Sequence, residues 1–291
     1  MNGVVLFAHG SLLCGAGETL AAHAAELKKR GVCRYVEAGF LNYSKPTFAD
    51  AVRALQQQGV YRVCVVPYFL VPGKFVQVDL PQAIEEVRAE FSQLEFVTGE
   101  ALGASELLAE ALVESAAGAC GLEGWGYDLL CAARHCRDYA ECPLYATAGC
   151  PHLPGWRGEI EPPAPLEPTG KHGLLVMVHG SPRSASNKVM YEVVEEVRSR
   201  NLYDCVLEGF LECNEPSIAE AVDLLAQQNV QTITAVPYFL HTGTHVAEDL
   251  PALLREGERR HKEIRFRMGS FIGRSSSVCN LLELRCKQLC S

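Results

Sequence analysis

The sequence predicts an α/β fold built from two tandem, similar lobes, each with a parallel four-stranded sheet flanked by helices. The first observation behind this prediction is an internal repeat. His9-Gly10-Ser11 recurs as His179-Gly180-Ser181, and the Pro-Tyr-Phe-Leu segment at Pro67 recurs at Pro237, so both pairs are 170 residues apart (179 − 9 and 237 − 67). The second observation is that short apolar runs alternate with helical segments in each copy, an order typical of a parallel sheet.

The elements of the first copy follow from local signals. Gly31 ends the first helix, while Pro46 and Pro81 each lie in the first turn of a later helix. Apolar runs bounded by such residues indicate buried strands. Strands are predicted at 4–8, 34–41, 61–70 and 94–102, and helices at 18–30, 46–58, 81–91 and 105–116. The second copy repeats this order.

The repeat divides the chain into three parts. The two repeat units are predicted at residues 1–116 and 171–291, with an insert and linker at 117–170. The end of this middle segment, residues 158–170, is rich in proline, which favours an extended linker.

Composition limits the classes of partner. The chain has 291 residues and a net charge of -9, which argues against nucleic acid because phosphate binding needs a basic surface. No apolar run approaches the roughly 20 residues that span a bilayer, and the first residues lack a basic signal-peptide region. We therefore expect a cytoplasmic protein without a membrane partner. Both lobes lie in one chain, so a monomer is expected to suffice.

A set of metal-ligand residue types lies at the predicted strand ends of the second copy. His179, Glu212 and His245 follow three strands at equal intervals of 33 residues (212 − 179 and 245 − 212), and the first copy has His9, Asn42 and Phe75 instead. Carboxyl ends of parallel strands meet at one edge of a sheet. Two imidazoles and a carboxylate suit Fe(II), Co(II), Ni(II) or Zn(II), or acid/base work near neutral pH. Taken singly, each residue is as well explained by a turn, a solvated strand end or a helix cap.

These residues resemble a known family. The segments MVHGS, GFLE followed by proline, and VPYFLHTGTHVAEDLP are similar to the class II tetrapyrrole chelatases of the CbiX/SirB type, the sirohydrochlorin cobalto- and ferrochelatases. The resemblance implies a chelatase-like bilobal fold and insertion of Co(II) or Fe(II) into sirohydrochlorin for cobalamin or siroheme. It also implies that His179, Glu212 and His245 are catalytic and handle the metal. Two-unit members carry this set in the N-terminal unit, whereas here it lies in the C-terminal one.

A polycarboxylate tetrapyrrole needs basic and polar contacts despite the negative net charge. Arg183 and Ser181 follow the second His-Gly motif, and His9 belongs to the first, so we expect these three residues to bind the ring. Lys74 and Lys188 are weaker candidates. His241, on the same loop as His245, is either an auxiliary ligand or a residue without a role.

Four cysteines in the middle segment form a separate candidate site. Cys131, Cys136, Cys142 and Cys150 lie within 20 residues, but their spacing matches no common zinc or ferredoxin motif. Some chelatases of this family carry an iron–sulfur cluster on an added segment, which favours a [4Fe–4S] cluster. Zinc and reduced thiols remain as alternatives.

Two other functions compete with the chelatase. A non-catalytic carrier of tetrapyrrole or metal would use the same cleft, although such a carrier has little need for the Glu212 carboxylate beside two imidazoles. A metal-dependent hydrolase is disfavoured because the sequence offers no clear carboxylate behind the metal ligands and no oxyanion motif.

Overall fold

The computed structural model describes residues 1–11, 16–124 and 164–290. In the N-terminal lobe, four parallel strands stand in the order β2-β1-β3-β4. They are β1 (Asn2–Ala8), β2 (Val36–Phe40), β3 (Arg62–Pro67) and β4 (Glu95–Thr98). The helices between them are α1 (Ala16–Lys29), α2 (Phe48–Gln57) and α3 (Leu80–Glu90), and α4 (Glu106–Ala117) follows β4. The predicted alternation of strands and helices is confirmed.

The C-terminal lobe repeats this order. Its strands are β6 (His172–Val178), β7 (Cys205–Phe210), β8 (Thr232–Pro237) and β9 (Arg265–Met268). Its helices are α5 (Ser184–Ser199), α6 (Ile218–Gln227), α7 (Leu250–Arg260) and α8 (Ser276–Cys290). A parallel sheet with helices on its faces is therefore present twice.

One short strand was not predicted. Cys120–Gly121 forms β5, which pairs antiparallel with β9 and makes the second sheet five-stranded, in the order β5-β9-β8-β6-β7. The Arg267 side chain, which is buried, donates hydrogen bonds to the carbonyls of Ala116 and Ala119, both 3.3 Å away. These bonds hold the chain after α4 against the edge of β9, where a strand without a partner would leave its backbone groups unpaired.

The last helix of each copy packs against the other lobe. Helix α4 contacts α5 and β8, whereas α8 contacts α1 and β3. The Glu114 carboxylate of α4 accepts hydrogen bonds from the hydroxyls of Ser276 and Ser277 at 3.1 and 2.6 Å. One apolar core accordingly contains Leu6, Leu112 and Leu174, from both lobes. The predicted unit boundaries at 116/117 and 170/171 stay a prediction about the repeat.

The outer faces of the two sheets have separate cores. Helices α2 and α3 cover the first sheet, and α6 and α7 cover the second. Within the described part of the chain, no helix has both the length and the apolar character needed to cross a membrane. Cys131, Cys136, Cys142 and Cys150 lie outside the described residues.

Candidate functional site

A glycine at the end of β6 brings two predicted site residues together. Gly180 has φ +92, and a Cβ atom there would lie 1.9 Å from the carbonyl oxygen of Glu212. Only glycine fits such an approach. The Glu212 amide donates a hydrogen bond to the His179 carbonyl at 2.9 Å. The backbones of the two strand-end loops are thus in direct contact, as the His-Gly-Ser motif and the strand-end rule predicted.

His245 comes to the same place from a third strand. It is the first residue of a five-residue π-helix, His245–Asp249, that leads into α7. Its ring centroid lies 4.9 Å from that of His179, with the ring planes at 75°. Single-turn π-helices occur often at functional sites. The structure therefore brings together the two predicted imidazoles, which are 66 residues apart in sequence (245 − 179).

Hydrogen bonds orient both imidazoles in the same sense. Nδ1 of His179 lies 3.2 Å from the Gly180 carbonyl, and Nδ1 of His245 lies 2.7 Å from a carboxylate oxygen of Asp249. Both acceptors require Nδ1 to carry the proton, so this network assigns the Nε2 lone pair of each ring as the one available to a metal. A carboxylate behind a ligating histidine fixes its tautomer and raises its basicity.

Asp249 is the functional residue that the sequence reasoning missed. The expectation that no carboxylate stands behind the metal ligands was wrong, because the π-helix places position i+4 against the His245 ring. The signal was present in the repeated frame, where Asp-Leu-Pro closes both loops at Asp79 and Asp249. The objection to a hydrolase that rested on this absence is therefore withdrawn.

The position of the third predicted ligand is less direct. The Glu212 side chain is exposed. Among residues 1–11, 16–124 and 164–290, no three His, Cys, Asp or Glu side chains are grouped so that they could hold one metal ion. Convergence of Glu212 with the two imidazoles on a single ion stays a prediction.

The N-terminal lobe has the same geometry with different chemistry. Gly10 has φ +89, and a Cβ there would lie 1.9 Å from the Asn42 carbonyl, as at the other site. The rings of His9 and Phe75 are 4.3 Å apart. Asp79, which has no imidazole to accept from, instead lies 3.6 Å from the ammonium group of Lys74. This lobe therefore lacks two of the three predicted ligands.

A cavity of about 360 Å³ lies between the lobes. One wall is the segment from Phe69 to Phe75, including Lys74, and the other runs from Gly180 to Ser186. Ser181 and Arg183, both predicted to bind substrate, line the second wall. Lys188 is not among its lining residues; its side chain is 78% exposed and lies 3.9 Å from Glu192, which indicates a surface charge.

His241 faces the N-terminal lobe. Burial lowers the pKa of His241, its bond to the Thr242 carbonyl opposes that effect, and positive charge on His9 lowers the pKa further. His9 and His241, from different lobes, are therefore near neighbours across the same space. A neutral His241 is favoured there, whatever its role.

Comparisons with known proteins agree with this geometry. The CbiX family model matches residues 3–119 and again residues 173–289. A protein of Priestia megaterium called sirohydrochlorin cobaltochelatase is 21% identical over 253 residues, which cover 87% of this chain and 69% of that protein. A second protein of the same organism, called sirohydrochlorin ferrochelatase, is 20% identical over 294 aligned positions, covering 100% of this chain and 91% of the relative.

Solved structures show the same fold. SirB from Bacillus subtilis, solved with Fe3+, superposes with a TM-score of 0.71 at 17% identity, covering 99% of this chain and 95% of SirB. At that identity the likeness concerns the fold alone. Two family-model matches, which together span most of the residues and include both strand-end motifs, carry the assignment. The chain belongs to the CbiX family.

Proposed function

We propose that this protein is a sirohydrochlorin chelatase, which inserts Co(II) or Fe(II) into sirohydrochlorin for cobalamin or siroheme biosynthesis. The observation that carries the proposal is the pair of imidazoles of His179 and His245, whose centroids are 4.9 Å apart at the strand ends of the C-terminal lobe. Family membership and relatives named for both metals support it. The protein is a metal chelatase, of the lyase class.

The reaction exchanges two pyrrole N–H protons for one divalent metal ion, so the site must present the metal and accept protons. The Nε2 atoms of His179 and His245 are the ligands that present the ion. Asp249 holds His245 in the ligating tautomer through the 2.7 Å bond. Glu212, exposed beside them, accepts a proton and adds negative charge. An incomplete ligand shell suits an ion that must leave for the ring.

The ring binds in the cavity between the lobes. Arg183 is exposed on the cavity wall, and its guanidinium can form paired hydrogen bonds with a carboxylate. The Ser181 hydroxyl accepts a hydrogen bond from the Arg183 amide at 3.2 Å, which ties these two residues together. His9 faces the same space from the N-terminal lobe. These three residues are the proposed substrate contacts.

The setting of the protein is part of the proposal. We place it in the cytoplasm as a monomer, with a small tetrapyrrole and a divalent metal as its partners rather than nucleic acid or a membrane. A [4Fe–4S] cluster on Cys131, Cys136, Cys142 and Cys150 is proposed from their sequence grouping alone. Anaerobic purification tests it: a brown protein with broad absorbance near about 400 nm supports the cluster, and an iron-free, colourless one removes it.

Anaerobic insertion of Co²⁺ and Fe²⁺ into sirohydrochlorin, followed by absorbance, tests the function. The expected result is formation of the metallated ring much faster than in buffer. A protein that binds the ring but does not accelerate insertion is the non-catalytic carrier, and the chelatase proposal is then wrong.

A further inference from the structure

The N-terminal lobe has kept the shape of a metal site while its side chains have become aromatic. Phe75 stands where the other lobe has His245, and each is the first residue of a π-helix. The Phe75–His9 centroid distance, 4.3 Å, is close to the 4.9 Å of the His245–His179 pair. A phenyl ring offers neither a metal ligand nor a proton acceptor, but it offers a flat apolar face.

That face is available to a ligand. Phe75 is 36% exposed, which is unusual for so large an apolar side chain. It lies nearly parallel to Phe69, with centroids 5.8 Å apart and planes at 25°. His9 packs on Phe75 from another direction, and Tyr43 lies at the far side of His9, 5.7 Å from its ring. We call Phe69, Phe75 and His9 the aromatic wall.

The cavity between the lobes combines this wall with positive charge. Phe69 and Phe75 line one side, Lys74 lies between them in sequence, and Arg183 lines the opposite side. The Arg183 side chain has no hydrogen bond or ion pair within the described ranges, and Lys74 is 69% exposed although it lies near Asp79. An aromatic surface flanked by two exposed cations matches a flat conjugated ring that carries carboxylates at its rim.

We propose that the aromatic wall binds one face of the tetrapyrrole ring, while Arg183 and Lys74 receive its peripheral carboxylates. This inference rests on the proposed function, since it assigns the binding surface for the ring that the reaction metallates. The two lobes then divide the work. The C-terminal lobe holds the metal and moves protons, and the N-terminal lobe holds the ring.

This division predicts different kinetic effects on the two sides of the cavity. Loss of the Phe75 ring removes contact with bound ring in the ground state and the transition state alike, so KM rises and kcat changes little. Loss of His179 or His245 removes groups needed for insertion itself and lowers kcat. A merely structural role of Phe75 would produce neither pattern and would lower the melting temperature instead.

The test measures binding of metal-free sirohydrochlorin, without any added metal, by anaerobic absorbance titration. Phe75→Ala should weaken the dissociation constant roughly tenfold, and Phe75→Trp should restore it, because the indole keeps a flat face. Val78→Ala is the matched control: Val78 is 53% exposed on the same π-helix but does not line the cavity. Melting temperatures of all variants should stay near that of the wild type.

Separate outcomes apply to the inference and to the proposed function. If Phe75→Ala binds sirohydrochlorin as tightly as the wild type, the aromatic wall is not the ring-binding surface, whether or not metal insertion occurs. If Phe75→Ala weakens binding and Phe75→Trp restores it but no variant accelerates insertion, the binding surface stands and the chelatase function fails. If wild type and Phe75→Trp do not bind the ring at all, the inference is overturned directly.

Discussion

A carboxylate oxygen of Asp249 lies 2.7 Å from Nδ1 of His245, and it is this contact that turns Nε2 of His245 toward a metal. The two residues are four positions apart on one π-helix. In the other lobe, Asp79 occupies the equivalent place but pairs with Lys74, because Phe75 has no ring nitrogen. The same backbone therefore provides an oriented imidazole once and an ion pair once.

Removal of this carboxylate should impair metal insertion. We expect Asp249→Ala to lower kcat about 10- to 100-fold, because His245 loses the group that fixes its tautomer and strengthens it as a ligand. Steady-state insertion of Co²⁺ into sirohydrochlorin measures the effect. Asp79→Ala is the matched control and should keep kcat within about threefold of wild type. Equal losses in both variants would refute the role assigned to Asp249.

Charge reversal at Arg183 should weaken binding of the ring. A guanidinium that binds a carboxylate becomes a repulsive carboxylate in Arg183→Glu, so KM for sirohydrochlorin should rise about tenfold or more. Lys188→Glu makes the same charge change on a side chain that is 78% exposed and outside the cavity. If the two variants have the same KM, Arg183 does not contact the substrate.

Gly180 should tolerate no side chain. A Cβ would approach the Glu212 carbonyl to 1.9 Å, and φ is +92, so Gly180→Ala should lower the free energy of unfolding by about 1–3 kcal/mol and separate His179 from Glu212. Urea denaturation measures the first effect and insertion kinetics the second. At Gly118 an added Cβ would make only ordinary contacts, the nearest at 3.8 Å, so Gly118→Ala should be nearly neutral. Similar stabilities of the two variants would contradict this account of the loop.

His23 should make the fold sensitive to acid. It is buried, and its Nε2 lies 2.7 Å from the Gly273 carbonyl, so it joins α1 of one lobe to the loop before α8. Burial lowers the pKa of His23 from 6.5, against the effect of the Gly273 bond and with help from Arg30. Above pH 6.5 both folded and unfolded states hold a neutral ring, and His23 contributes no pH dependence.

Below pH 6.5 the unfolded state binds a proton that the folded state does not, so stability falls by at most about 1.4 kcal/mol per pH unit for this one group. His23→Gln keeps a donor for Gly273 and cannot titrate. The free energy of unfolding, measured from pH 7.5 to 5, should therefore fall less steeply in this variant. Parallel curves for His23→Gln and wild type would show that another group controls the acid response.

The sequence predicted the parts of the fold that depend on local pattern and repetition. The 170-residue repeat located His179 and His9, Glu212 and Asn42, and their glycines, because a duplicated backbone keeps its turns. It did not predict the exchange of α4 and α8 between lobes. That exchange depends on which sheet each apolar helix face meets, and both sheets offer similar inner faces to Leu112 and Leu282.

The site itself was predicted at the level of residues and not of contacts. Spacing identified His179 and His245, but the i+4 contact of Asp249 depends on a π-helical turn that carries no distinctive sequence signal. The aromatic wall was equally invisible. Phe75 was noted only as a lost histidine, whereas its exposure and its stacking on Phe69 emerge from the packing of two loops.

The most direct measurement is the turnover of His179→Ala beside His9→Ala, at saturating sirohydrochlorin and with Co²⁺ under anaerobic conditions. The two substitutions remove equivalent histidines from the two lobes. We predict that His179→Ala loses insertion activity, while His9→Ala keeps kcat within about threefold and shows its effect in KM. Loss of kcat in His9→Ala with full activity in His179→Ala would place the chemistry in the N-terminal lobe and contradict the account.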